Sequence, residues 1–140
     1  MSWQRSSRDE PEPVTDRTRV ATGAPWEARF GYSRALRAGR HIAVSGTVGR
    51  NADGTAPRGA YAQARRSLEI IVAALAELGA GVDDVVRTRT FVTDMAFVDD
   101  VARAHAEVFG AVRPATSLVQ VSALIDPAYL LEIEADAVLD

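Results

Sequence analysis

The chain reads as an α+β domain, a mixed β-sheet with two helices packed on one face. Three observations predict it. Two segments repeat apolar residues at three- and four-residue steps, the mark of helices with one buried side. Six other segments are β-branched or alternate between apolar and polar residues, the mark of strands. Both helical segments lie between strands, so each makes a crossover, and the sheet is partly parallel. The 140 residues are 47% apolar and 25% charged, which suits one soluble domain with a buried core.

Residues 1–20, MSWQRSSRDEPEPVTDRTRV, are polar, charged and proline-bearing. They are expected to form a flexible N-terminal tail ahead of a single domain over 21–140. Residues 26–47, WEARFGYSRALRAGRHIAVSGT, alternate loosely with a break at Gly39-Arg40. They predict two short strands and a stronger one over His41–Thr47. Residues 49–59 are turn chemistry, sharpest at Asp53-Gly54. The clearest helix follows, with Tyr61, Ala64, Leu68, Ile71, Val72, Leu75 and Leu78 on its apolar stripe and Gly79 and Gly81 ending it. Residues 83–94 predict a strand. The second helix is capped by Thr93 or Asp94, carries Phe97, Val101, Ala104 and Val108 on its stripe, and closes at Gly110. Two last strands, 116–123 and 130–139, are joined by a turn at Asp126-Pro127.

Alternation separates the two faces of the sheet. Val86, Thr88, Thr90 and Val92 should meet the helices, with Val119, Val121 and Ala123, and with Leu131, Ile133, Ala135, Ala137 and Leu139. The other face then carries Arg87, Arg89 and Phe91, then Leu118, Gln120 and Ser122, then Leu130, Glu132, Glu134 and Asp136. Two helices leave that face uncovered within the chain. It is either solvated or packed against other subunits with charge pairs across it, and its scattered apolar residues favour subunit packing.

Composition excludes several classes of function. A net charge of −3 gives no general attraction to nucleic acid or anionic lipid. No cysteine is present, so thiolate nucleophiles and cysteine metal sites are ruled out. With only His41 and His105, a multi-histidine metal site in one chain is not expected. No secretory signal pattern or spanning apolar run appears, and a cytoplasmic protein is the expectation.

Several residues are candidates for chemistry. Gly46, within Ser45-Gly46-Thr47, either opens the backbone N–H groups to a ligand or simply lets the strand bend. Tyr32, after Gly31, could present its hydroxyl at a cleft or lie half-buried with that hydroxyl in water. Glu132, among Leu130, Leu131 and Ile133, either has a raised pKa suited to proton transfer or pairs with Arg87 or Arg89. Arg87 and Arg89 could clamp a carboxylate, and neutralising the acids of the last strand is the favoured role. His105 reads as a boundary residue of its helix. There is no serine–histidine–acid relay and no glycine-rich phosphate loop.

Three segments, GYSRALRAGRHIAVSGTVG, YAQARRSLEIIVAALAELGAGVDDVVRTRTFVTDM and RPATSLVQVSALIDPAYLLEIEADAV, together resemble the Rid (YjgF/YER057c/UK114) family of enamine/imine deaminases. The resemblance runs from about Ala24 to the end. It implies a bacterial chorismate mutase-like fold and a homotrimer with a small-metabolite cleft between neighbouring subunits. It also implies hydrolysis of enamines and imines such as 2-aminoacrylate to a 2-oxo acid and ammonia, with no cofactor and no metal. The family's cleft tyrosine falls on Tyr32, its serine–glycine backbone site on Ser45 and Gly46, and its water-positioning glutamate on Glu132. Its carboxylate-binding arginine falls on Thr116, because the motif here reads Pro114-Ala115-Thr116-Ser117. A family asparagine falls near Ala102.

Thr116 and Ser117 can each donate one neutral hydrogen bond but cannot supply a charged fork. Loss of that fork weakens carboxylate binding by about 1.5–3 kcal/mol, roughly ten- to hundredfold. Arg89 or Arg113 are the neighbouring cations that could stand in. The expectation is therefore a trimeric Rid-like protein without nucleic-acid or membrane partners. In it Glu132 orients water, and Gly46 with Thr116 or Ser117 holds the substrate. The alternative is a non-catalytic ligand binder that kept the cleft and lost the clamp. RNA cleavage, attached to some family members, fits poorly with the acidic balance and the lack of a catalytic histidine pair.

Overall fold

The structure, a computed structural model, describes residues 17–140. Strand β1 (Arg17–Val20) is followed by a short helix α1 (Pro25–Phe30), then β2 (Ala35–Ala38), β3 (His41–Thr47) and helix α2 (Ala60–Glu77). Strand β4 (Val85–Val92), helix α3 (Val98–Phe109), β5 (Ala115–Gln120) and β6 (Leu131–Val138) complete the chain. One six-stranded sheet runs in the order β1-β2-β3-β6-β4-β5. Only β4 and β5 pair in parallel; the other neighbours are antiparallel. This is the mixed α+β sheet the sequence predicts.

Two expectations at the start of the domain are corrected. Residues 17–20 are an edge strand paired with β2, so the tail reading cannot extend past residue 16, and the rest of it lies outside the described residues. Val20 anchors that strand, buried beside Ala35. Residues 25–30 form a helix rather than a strand. Pro25 sits at its first position, and Gly31 ends it at a φ of 80°, a left-handed conformation that glycine adopts without strain.

Helix α2 buries Ala64, Leu68, Ile71, Ala74 and Leu75 against β3, β6 and α3, while Tyr61 and Val72 stay half-buried. Helix α3 buries Val101, Ala104 and Phe109. The Asp94 carboxylate caps the 3₁₀ turn Met95–Phe97 that leads into it, accepting from the Ala96 N–H. The sheet supplies Ile42, Val44, Thr88, Thr90, Val92, Leu131, Ile133, Ala135 and Ala137 to the same core.

The face assignment holds for β6 and for β4 from Thr88 onward. At the start of β4, Val85 pairs with Ala137 and Arg87 with Asp136, so Val86 is an extra residue in a bulge. Val85 is buried and Val86 is exposed, the reverse of the expectation. In β5 the expected faces are exchanged. Thr88 pairs with Thr116 and Thr90 with Leu118, which turns Thr116, Leu118 and Gln120 to the helices. Val119 lies on the open face and is exposed. Strand β5 also stops at Gln120, so Val121 and Ala123 belong to the following loop.

The open face carries Arg87, Arg89, Phe91, Glu132, Glu134 and Asp136, with Ala43 and Val119 among them. The Arg89 guanidinium donates to Glu134 at 3.1 Å and Asp136 at 3.2 Å, as the charge-neutralising reading expects. Ile71→Ala, at a fully buried position, is expected to cost about 2–5 kcal/mol, read as a lowered urea midpoint with an unchanged slope.

Candidate functional site

Two strands diverge where the site is built. In β3, Val44 faces Ala135 and Thr47 faces Ile133, so Ser45 and Gly46 together oppose the single residue between those partners on β6. That residue is Glu134, and the bulge lies one pair from Glu132. The Glu132 carboxyl fills the space beside Gly46: a Cβ added at Gly46 would lie 2.4 Å from Glu132 Oε1. A side chain at Gly46 would therefore have to displace that carboxyl.

Around this point opens a cleft of about 710 Å³, lined by Tyr32, Arg34, Ser45, Gly46 and Glu132 among others. Helix α1 contributes Trp26 and Phe30 to one wall. The ring centroids step from Trp26 to Phe30 at 5.6 Å and from Phe30 to Tyr32 at 6.4 Å. The loop before β6 contributes Ile125, Asp126 and Tyr129, and the loop after β3 contributes Arg50. Gln63 of α2 ties these loops in place. Its amide donates to the carbonyls of Pro57 and Ala128, and its oxygen accepts from the Leu130 N–H at 2.8 Å.

Arg34 is buried beneath the cleft floor. Its Nε meets Glu27 at 3.4 Å, one terminal nitrogen donates to Gly46 O at 2.7 Å and Thr47 Oγ1 at 3.0 Å, and the other donates to the Tyr32 hydroxyl at 3.3 Å. Burial alone would raise the pKa of Glu27. Hydrogen bonds from the Thr22 hydroxyl and N–H, together with the Arg34 charge, outweigh it and hold that carboxyl below its usual range. Glu132 is shifted the other way. Burial raises its pKa, the neighbouring Glu134 charge adds to the rise, and Arg34 opposes it.

Four of the residues singled out in the sequence, Tyr32, Ser45, Gly46 and Glu132, therefore meet in one cleft. Ser45 spends its hydroxyl on the Ser33 carbonyl at 2.7 Å. Arg89, Thr116 and Ser117 lie outside that cleft within the chain. Arg89 lines a smaller hollow with Ala43, Ser45 and the acids of β6. Thr116 faces α3, where its hydroxyl is 2.7 Å from Thr88 Oγ1, itself 2.8 Å from His105 Nε2. Burial lowers the pKa of that histidine. Arg113 donates from Nε to the Gly110 carbonyl, at a φ of 55°.

Sequence reasoning missed Arg34 and Arg50. The partner of Arg34 is Glu27, and only the helical form of residues 25–30 brings the two together. Arg50 sits in a turn-rich stretch where an arginine carries no periodic signal.

Residues 22–139 match a family model described as Endoribonuclease L-PSP. The crystal structure of Rv2704 from Mycobacterium tuberculosis, a member of the YjgF/YER057c/UK114 family, superposes with a TM-score of 0.81 at 45% identity, covering 88% of this chain and 99% of that one. An uncharacterized protein of Streptomyces coelicolor is 40% identical over 120 residues, 85% of this chain and 90% of its own. The structure of E. coli TdcF with bound serine has a TM-score of 0.75 at 27% identity, covering 87% of this chain and 94% of that one.

Gly46→Ala is expected to displace the Glu132 carboxyl at a cost of about 1–3 kcal/mol that disappears in a Glu132→Ala background. Gly49→Ala is expected to be worse, because its Cβ would lie 2.4 Å from the Gln63 backbone oxygen, which cannot swing aside. Urea unfolding of the single and double variants checks both. An equal cost of Gly46→Ala in the two backgrounds would contradict the first.

Proposed function

The chain belongs to the Endoribonuclease L-PSP (YjgF/YER057c/UK114) family, and from that premise we propose that it hydrolyses an imine or enamine of a small metabolite in the cleft around Glu132. Family membership supports a small-molecule-processing or binding role. The observation that carries the finer reading is a carboxyl of raised pKa held against a glycine backbone inside a concave cleft with an aromatic wall. In the reaction, water adds to the C=N carbon and Glu132 takes the proton that water releases. The proton passes to the nitrogen to give a carbinolamine; its hydroxyl proton then moves through Glu132 to the amine as the C=O forms and the C–N bond breaks, and the products are a carbonyl compound and ammonia. An enamine enters after tautomerising to its imine. The Tyr32 hydroxyl, which accepts from Arg34, is free to donate to the substrate. TdcF with bound serine shows a related protein holding a small amino acid, which agrees with this ligand size.

The working unit in this reading is a homotrimer, with the open sheet face buried between copies. The exposed Val119 and the half-buried Phe91 on that face support it. The compartment proposed is the cytoplasm; no helix among the described residues is long and apolar enough to cross a membrane. No nucleic-acid partner is proposed, and RNA should stay intact on long incubation at low salt.

A second reading is a ligand binder without turnover. It is favoured by Thr116, whose hydroxyl donates to the Thr88 carbonyl and which, by the resemblance of the Pro114–Ser117 motif, takes the place of the family's carboxylate-binding arginine. Thr116→Arg separates the two readings. For an enzyme lacking only its clamp, release of ammonia from 2-aminoacrylate should rise about ten- to hundredfold. A binder stays inert.

Glu132→Gln is expected to lower ammonia release from imino acids generated in situ by about 100-fold or more. The raised pKa fixes the sign of two further effects. Only the ionised carboxylate is a base, so activity should fall as pH drops through a value above the ordinary 4.5. The fold favours the protonated form, so ionised Glu132 costs stability as pH rises past its unfolded value. Glu132→Gln should therefore melt no lower than the parent at neutral pH. Unaltered turnover in Glu132→Gln would remove the hydrolytic reading.

A further inference from the structure

A second hollow, of about 310 Å³, adjoins the main cleft and shares Ala24, Arg34, Val48 and Arg50 with it. Its charge character is different. The main cleft sets two arginines against Asp126, Glu132 and Glu134. The second hollow is lined by Arg34, Arg50 and Arg66, with no carboxylate in its lining.

Two of these arginines are oriented by bonds that leave donors over. Arg34 gives its Nε to Glu27 and is buried, a fixed charge in the wall. Arg66, on the second turn of α2, donates from Nε to the Arg50 carbonyl at 2.9 Å and from one terminal nitrogen to Glu69 at 3.3 Å. Its other terminal nitrogen has no partner among the described residues. The Arg50 guanidinium makes no hydrogen bond and no ion pair within 4.0 Å among the described residues. It lies against Gly54, where a Cβ would come within 3.3 Å of its terminal nitrogen. The turn carrying it is braced. The Asn51 N–H donates to the Thr55 carbonyl, and the Asp53 carboxylate accepts from the Thr55 N–H and hydroxyl.

Glu27 and Glu69 pair with Arg34 and Arg66, and Asp53 acts on Arg50 from its own turn, but none of these carboxylates lines the hollow. The groups that do face the space are donors of positive charge, and an anion there completes their hydrogen bonding. Donors arriving from three places, the residue before β2, the loop after β3 and α2, suit an oxyanion with several oxygens pointing apart; a carboxylate is satisfied by one fork. We propose that this hollow is an oxyanion site, separate from the chemistry at Glu132, that takes the phosphate of a small phosphomonoester or phosphate itself. Arg50 and Arg66 bind it, and Arg34 is the fixed positive charge behind them.

The test is calorimetric titration of the full chain with inorganic phosphate and with methyl phosphate, at constant ionic strength in chloride, with malonate as the carboxylate control. Saturable binding of one phosphate per chain is expected, weakened about tenfold or more by Arg66→Gln and by Arg50→Gln, the loss of a charge-assisted contact. The phosphate-induced rise in melting temperature should shrink in step in whichever of the two variants folds. Glu132→Gln, which removes a negative charge from the adjoining cleft, should not weaken phosphate binding. Methyl phosphate binding as tightly as phosphate makes a phosphomonoester the ligand, and weaker methyl phosphate binding makes it free phosphate. Absence of saturable binding, tighter binding of malonate, or binding untouched by both arginine substitutions overturns the proposal. The readout is binding alone, so failure of the hydrolytic reading leaves it standing.

Discussion

The buried Arg34 guanidinium is the interaction on which the site depends. It joins segments that the sheet alone leaves unconnected: Glu27 on α1, Tyr32 after the helix, and the Gly46–Thr47 end of β3. Each of its bonds fixes one wall of the cleft. A buried ion pair contributes little net stability against an apolar replacement of the same shape, but removal of one partner strands the other charge at a cost of about 3–5 kcal/mol. Arg34 and Glu27 therefore stand or fall together. Thr22 belongs to the same unit, because its hydroxyl and N–H complete the coordination of the Glu27 carboxylate.

The same guanidinium sets opposite conditions for two carboxyl groups. Glu27 is in contact with it and has two further hydrogen bonds, so its charged form is satisfied despite burial. Glu132 feels it only through its charge, while burial and Glu134 act against ionisation. One carboxyl is thereby made structural and the other is left with a proton affinity that can be used. Gly46 mediates between them: its carbonyl accepts from Arg34, and its missing side chain leaves room for Glu132.

How much of this was legible varies along the chain. Strand β6 was readable because Leu131, Ile133, Ala135 and Ala137 alternate strictly with acids, and only one face can be buried. Strand β5 was not, because Leu118 and Val119 are both apolar, and pairing with β4 settles which of them turns inward. The bulge at Val86 left no local signal either, since Val85 and Val86 are identical side chains. The convergence of Tyr32, Ser45, Gly46 and Glu132 came from family resemblance; no spacing rule joins residues 100 positions apart. Arg34 was hidden by a mistaken element. With residues 26–30 read as a strand, Glu27 has no reason to lie near it. The helix rests on Pro25 and Gly31, two residues whose effect depends on the few turns between them.

The two hydroxyls at the mouth of β5 divide along the same geometric lines. Strand β4 separates β5 from β6, so Thr116 and Glu132 stand two strand spacings apart, about 10 Å across the sheet before any difference of face. Thr116 turns to the helices, where Thr88 takes it up. Ser117 pairs with Arg89 and so shares the open face with Glu132. No single chain can bring β5 to its own cleft without breaking β4. A ligand that touches both Glu132 and the Pro114–Ser117 segment of one chain has to span β4, and from the sheet face itself Ser117 is the hydroxyl presented. The cleft of one isolated chain has Arg34 and Arg50 as its cations, and the first of these has most of its donors already committed. The uncommitted cation at the rim of that cleft is accordingly Arg50, which the cleft shares with the adjoining hollow, on a braced loop outside the sheet rather than at the strand position where the sequence motif would place it.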